Sequence, residues 1–166
     1  QGVIDELLDR SRDPSRYDAP GAPVKGEKYT VLATLTDQFD RAKGKANAED
    51  MLTKYPQVGC MVGLFAYNPP LILEALSQAK RLNTVKVVGF DEEDVTLQAI
   101  VDGTVHGTVV QNPYEYGYQS VKVLKALFEG DDSMIPANKF INIPARQIRK
   151  DTVTEFWADL NEKLGK

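Results

Sequence analysis

Apolar and polar positions along the chain switch between two patterns, a helical stripe and a short continuous run, and the alternation persists to the C-terminus. Val3, Ile4, Leu7 and Leu8 recur at helical spacing. Ser11–Lys28 then gathers Pro14, Pro20, Gly21, Pro23 and Gly26 into a predicted loop. Tyr29–Thr36 (YTVLATLT) is rich in β-forming residues and predicts a strand. Ala48, Met51, Leu52 and Tyr55 form an i, i+3, i+4, i+7 stripe, so a helix is expected from Asp40 to Tyr55. Val58–Ala66 (VGCMVGLFA) is a nearly unbroken apolar run, the pattern of a strand covered on both faces. Asn68-Pro69-Pro70 reads as the opening of the next helix, with Asn68 as its cap and a stripe of Leu71, Ile72, Ala75, Leu76, Ala79 and Leu82.

The same alternation continues downstream. Val85–Phe90 predicts a strand, and a short helix follows with Leu97, Ile100 and Val101 inward and Gly103 as its stop. Val105–Val110 predicts a further strand. Pro113–Glu129 predicts a helix with Gly117, Val121, Leu124 and Phe128 on one face, ended by Gly130. Lys139–Ile143 reads as a strand. Val153, Phe156, Trp157, Leu160 and Leu164 make a last amphipathic helix behind Asp151 as its cap. Strands separated by single helices predict an α/β fold, an open parallel sheet with helices on both faces.

Composition narrows the function more than the fold. With 166 residues, 42% hydrophobic and 27% charged, the chain is long enough for a real core. Twenty Lys and Arg against 24 Asp and Glu give a net charge of −4 with no basic stripe, which argues against a nucleic-acid partner. One cysteine and one histidine exclude an internal disulfide and a Cys/His metal cluster. Neither GxxxxGK[ST] nor GxGxxG occurs, and Gly89-Phe90-Asp91-Glu92-Glu93-Asp94 lacks the spacing of a calcium loop. The first residues carry no signal core and no initiator Met, so a processed form or a fragment is expected.

In an open parallel sheet, ligands bind beyond the carboxyl ends of the strands. The residues predicted there are Thr36, Asp37, Gln38 and Phe39 after the first strand, and Tyr67 and Asn68 after the second. Asp91 follows the third, and Gln111 and Asn112 the fourth. Carboxylates, amides and rings hydrogen-bond and cover a sugar face well, but they have little means of moving protons near neutrality. A polyol or monosaccharide suits the set better than a phosphate, a nucleotide or a peptide. Plainer uses compete at each position: Asn68 as a helix cap, Asp91 as part of an acidic run at a helix start, Gln111 as a turn residue, Phe39 as core.

Ordered phrases along the chain carry a resemblance: Asp37-Gln38-Phe39-Asp40-Arg41-Ala42-Lys43-Gly44, Phe65-Ala66-Tyr67-Asn68, Val87-Val88-Gly89-Phe90-Asp91, Ile100-Val101-Asp102-Gly103, and Gly107 to Pro113 followed by Gly117. From Tyr29 to about Lys150 the chain resembles the periplasmic sugar-binding proteins of bacterial ABC importers, the ribose-binding-like type I group. The resemblance implies a non-enzymatic, extracytoplasmic, two-lobed protein that needs no cofactor, closes on a sugar and presents it to a membrane permease. It further implies that Phe39 stacks on the sugar, that Asn68, Asp91 and Gln111 bond its hydroxyls, and that Tyr67 helps set specificity.

By the same resemblance, residues 1–112 correspond to the second lobe without its first strand. Residues 113–138 correspond to a helix segment belonging to the first lobe, and 139–166 to a final strand and helix returning to the second. The missing lobe, or a neighbouring chain in its place, is then an expected partner. An unpaired sheet edge is also expected. Two further functions stay open on sequence: the effector domain of a lac-repressor-type regulator, and a sugar or nucleotide enzyme on the same sheet.

Overall fold

The computed structural model describes all of residues 1–166. In chain order the elements are α1 (Gly2–Leu7), β1 (Val24–Lys25), β2 (Thr30–Val31), α2 (Arg41–Lys54), β3 (Cys60–Val62), α3 (Asn68–Gln78), β4 (Lys86–Phe90), α4 (Asp94–Asp102), β5 (Gly107–Val110), α5 (Pro113–Phe128), β6 (Arg146–Ile148) and α6 (Val153–Leu164). Two units divide them, Gln1–Asn47 and Ala48–Lys166.

In the first unit the deepest side chain is a carboxylate. Asp5 is 3% exposed and accepts from Arg16 Nη1 at 2.8 Å and Gln1 Nε2 at 3.1 Å, with Arg10 Nη2 at 3.0 Å. Arg10 also grips Asp18 with both terminal nitrogens, and Gln1 donates to the same carboxylate. A buried carboxylate persists only when paired in this way. The expected strand Tyr29–Thr36 shrinks to β2, which pairs antiparallel with β1 inside the expected loop, Val24 opposite Val31. A strand extends only as far as a neighbour can take its N–H and C=O groups, and β1 offers two residues. Beyond it, Asp40 Oδ1 accepts from the amides of Ala42 and Lys43 at 2.8 and 3.1 Å, which caps α2.

The second unit is an open α/β sheet in the order β3-β4-β5-β6. The first three strands are parallel, Met61 opposite Val87 and Gly89 opposite Thr108. β6 closes the sheet antiparallel, Thr108 opposite Ile148. Met61, Val87, Thr108, Val110 and Ile148 therefore share one buried face. α3 packs on β4 and against α4, and α4 packs against α6. Leu76, Leu97, Ile100 and Val153 are fully buried in that layer.

Several expectations are corrected here. Val58–Ala66 is covered on one face only: in β3, which is also the sheet edge, Met61 is buried while Cys60 and Val62 are exposed. Lys139–Ile143 forms no ladder, and the last strand lies at Arg146–Ile148, beyond Pro144, which has no N–H to donate. The cap position of α6 is Thr152, whose hydroxyl bonds the Arg149 backbone, and Asp151 is exposed. Gly103, at φ 82°, stops α4 as expected. The predicted apolar face of α5 is real but open, with Val121 66%, Leu124 65% and Phe128 94% exposed.

Two tests follow from this packing. Leu97→Ala should cost about 2–5 kcal/mol in urea unfolding, the usual result of emptying a filled core site. Val121→Ala should stay within about 0.5 kcal/mol, and a larger loss would mean that the α5 face is covered in solution. In the first unit, Arg10 and then Gln1 hold the Asp18 carboxyl down to about 2. That value lies below the roughly 3.9 of an unfolded aspartate, so the ion pair contributes fully above that pH and is lost as pH falls through about 2. Carboxyl carbon shifts should show Asp18 still ionised at about pH 3, with Arg10→Ala returning it to the ordinary range.

Candidate functional site

Parallel pairing puts the carboxyl ends of β3, β4 and β5 side by side at one end of the sheet. Each tip continues straight into a turn and then a helix, so the polar residues at 65–68, 91 and 111–112 stand in adjacent turns.

At the β3 tip the chain folds into the turn Phe65–Asn68. The Asn68 amide donates to the Phe65 carbonyl at 2.9 Å, and Asn68 Oδ1 accepts from the Phe65 amide at 3.0 Å. Asn68 is therefore not the helix cap expected from its place before Pro69. α3 begins at Asn68 itself, with Tyr67 in the cap position, and the Asn68 side chain closes the turn ahead of it. Tyr67 stacks with Phe65, ring centroids 5.9 Å apart and planes 4° from parallel. The turn is tight against the strand: a Cβ on Gly63 would stand 2.8 Å from Asn68 Cβ and 2.9 Å from Pro69 N.

At the β4 tip Asp91 adopts a left-handed φ of 63°. Its amide donates to the Val109 carbonyl at 2.8 Å, which carries the β4–β5 pairing one residue past the strand. Its carboxylate oxygen Oδ1 accepts from Gln111 Nε2 at 3.4 Å, a long hydrogen bond that bridges two neighbouring tips. Burial pushes the Glu92 carboxyl up, and the Asp91 charge adds to the effect. At the β5 tip Asn112, not singled out as a cap from the sequence, accepts from the Glu115 amide at 3.3 Å and caps α5.

Of the expected site residues, the structure brings Asp91 and Gln111 into contact and sets Tyr67 and Asn68 in one turn. Phe39 belongs to the first unit. Its expected place at the tip of a parallel strand is corrected, because β2 is a two-residue hairpin strand. Phe39 is instead presented by a turn in which Gln38 and Phe39 are both left-handed, at φ 57° and 62°. The Phe39 amide donates to Asp37 Oδ1 at 3.1 Å, and the ring is 75% exposed. Two further residues adjoin these turns without a signal in the sequence: Phe65, which lies in an apolar run that reads as strand and stacks on Tyr67, and Thr108, inside β5, whose hydroxyl donates to the Asp91 carbonyl.

The open α/β sheet, with hydrogen-bonding groups and rings in the turns after its parallel strands, has the architecture in which ligands bind at that end. The chain belongs to the periplasmic binding protein family: the family described as "Periplasmic binding protein domain" matches residues 3–132. The ribose import binding protein RbsB of Salmonella typhimurium is 34% identical over 133 residues, covering 79% of this chain and 43% of that protein. RbsB of Escherichia coli is 33% identical over the same shares. The chain thus spans less than half the length of these relatives.

Among solved structures, an ABC transporter solute-binding protein from Agrobacterium vitis, bound with α-D-tagatopyranose, superposes with a TM-score of 0.67 at 25% identity. The match covers 77% of this chain and 42% of that one. A glucose-galactose binding protein from Geobacillus stearothermophilus matches at a TM-score of 0.60 and 30% identity, covering 69% and 39%. The members that this chain matches are solute-binding proteins.

Gly63→Ala tests the β3–α3 junction. The atoms it would meet are backbone or next to backbone, so α3 has to shift. A loss of about 1–3 kcal/mol is expected, with the amide signals of Phe65 and Asn68 displaced. An unchanged urea midpoint together with unmoved signals would mean that the junction yields without cost.

Proposed function

We propose that the chain is the C-terminal portion of an extracytoplasmic, non-enzymatic sugar-binding protein. That protein captures a monosaccharide or similar polyol in a cleft between two lobes and hands it to the permease of an ABC importer. The observation that carries this reading is the bridge between Asp91 and Gln111 across two strand tips, in a family whose matched relatives are named for ribose import. In this reading Asp91 and Gln111 accept from and donate to vicinal hydroxyls, and Asn68 bonds a third. Phe39 covers the C–H face of the ring, and Tyr67, stacked on Phe65, shapes the wall that sets specificity.

The same reading takes 1–112 as second lobe, 113–138 as a helix segment of the first, and 139–166 as the return to the second. The first lobe, or a neighbouring chain standing in for it, completes the cleft. A periplasmic or other extracytoplasmic location follows from the import role. No helix of the chain is long and apolar enough to cross a membrane.

Calorimetric titration of the intact protein with ribose, arabinose, galactose and tagatose is the test. One of them should bind, and Asp91→Ala should weaken that binding by about 1–3 kcal/mol, since a sugar hydroxyl then loses its acceptor in a closed site. An affinity untouched by Asp91→Ala would remove Asp91 from the site. No heat from any pentose or hexose would overturn the reading.

A further inference from the structure

Asp91 stands in the left-handed backbone region, which residues carrying a Cβ seldom occupy and which Asp and Asn enter more readily than most. Its amide is held by the Val109 carbonyl at 2.8 Å. Its carbonyl accepts from Thr108 Oγ1 at 2.7 Å.

Thr108 is 2% exposed, and its neighbours on that face, Val110 and Ile148, are apolar. Valine has the same shape without a polar atom, so packing gives no reason for a hydroxyl here, and its bond to Asp91 does. Gly89, opposite Thr108 in the ladder, keeps the space open. A Cβ there would lie 3.1 Å from Thr108 Oγ1 and 3.0 Å from Pro69 Cγ, on the residue after Asn68. Beyond the turn, the Asp91 carboxylate meets Gln111 Nε2.

We propose that Thr108 is a positioning residue of the strand-tip site. Its buried hydroxyl locks the left-handed turn at Asp91 and so aims the carboxylate at the amide of the adjacent tip. Gly89 provides the room for that hydroxyl. The inference rests on the strand-tip reading given above for its effect on binding, but not for its effect on Asp91 itself.

Thr108→Val removes the donor and keeps the shape, and Thr108→Ser keeps the donor. Amide exchange and side-chain amide signals are measured on the isotopically labelled intact protein. In Thr108→Val the Asp91 amide should exchange at least about tenfold faster and the Gln111 side-chain signals should move, while the Val88 amide in the middle of β4 stays protected. Thr108→Ser should restore both. A purely structural role would loosen Val88 along with Asp91. In the intact protein, sugar affinity should fall about tenfold in Thr108→Val and recover in Thr108→Ser.

Wild-type exchange and signals in Thr108→Val, or failure of Thr108→Ser to restore them, would overturn the proposal. If Thr108→Val does not fold, Thr108→Ala is read in the same way. If the intact wild-type protein binds no sugar, the transport reading falls, and the exchange comparison alone decides the role of Thr108.

Discussion

Parallel pairing of β4 with a strand on each side is the constraint from which the C-terminal unit follows. Val87, at its centre, is fully buried, and the ladders to β3 and β5 leave no choice of register. A one-residue slip would turn Val87 to the half-covered face and bring Val88 and Phe90 into the core. With register set, three strand ends arrive together, and the turns after them hold their polar groups at neighbouring places. Only then does the chemistry of Asp91 and Gln111 become a joint property.

Elements whose signal lies within their own residues were readable from the sequence. The stripe Ile72, Ala75 and Leu76, the stop at Gly103 and the pair Val153 and Phe156 each declare a helix locally, and those helices are where the pattern puts them. What depends on a neighbour was not readable. Tyr29–Thr36 has strand composition, but composition names no partner, and its pairing stops after two residues. Val58–Ala66 reads as buried on both sides because an apolar run carries no information about which of its faces a packing layer covers. At the candidate site the residue types were readable, and their geometry was not. Asn68 before Pro69 looks like a cap, whereas its side chain bonds backward to Phe65. The support from Thr108 was hidden inside a strand whose β-branched residues all suit the ladder equally well.

Two surfaces stay open in the structure and share a physical character. The exposed positions of β3, Cys60 and Val62, flank an unpaired edge, and α5 shows Val121, Leu124 and Phe128 to solvent. An amphipathic pattern tells which side of a helix wants cover and nothing of what supplies it. Both surfaces carry the features that proteins ordinarily blunt or bury, an accessible strand edge and contiguous large apolar side chains. On the two-lobed reading proposed above, the second lobe's own first strand would pair with the β3 edge, and the core of the first lobe would cover α5.

On the sugar-binding reading proposed above, binding without turnover would make a specific demand of the strand tips. A sugar differs from its epimers by the direction of one hydroxyl, and a site discriminates between them only if its own polar groups cannot follow the wrong one. Rigidity at the acceptor is therefore worth more than acceptor strength. Asp91 is held by an amide bond to β5, by the Thr108 hydroxyl and by Gln111, three restraints on one residue. Two of them come from the interior of the ladder, away from any ligand. An aspartate on a free loop would turn to meet an epimer. On that reading, one seated in a left-handed turn over a buried hydroxyl would leave the wrong sugar unpaired.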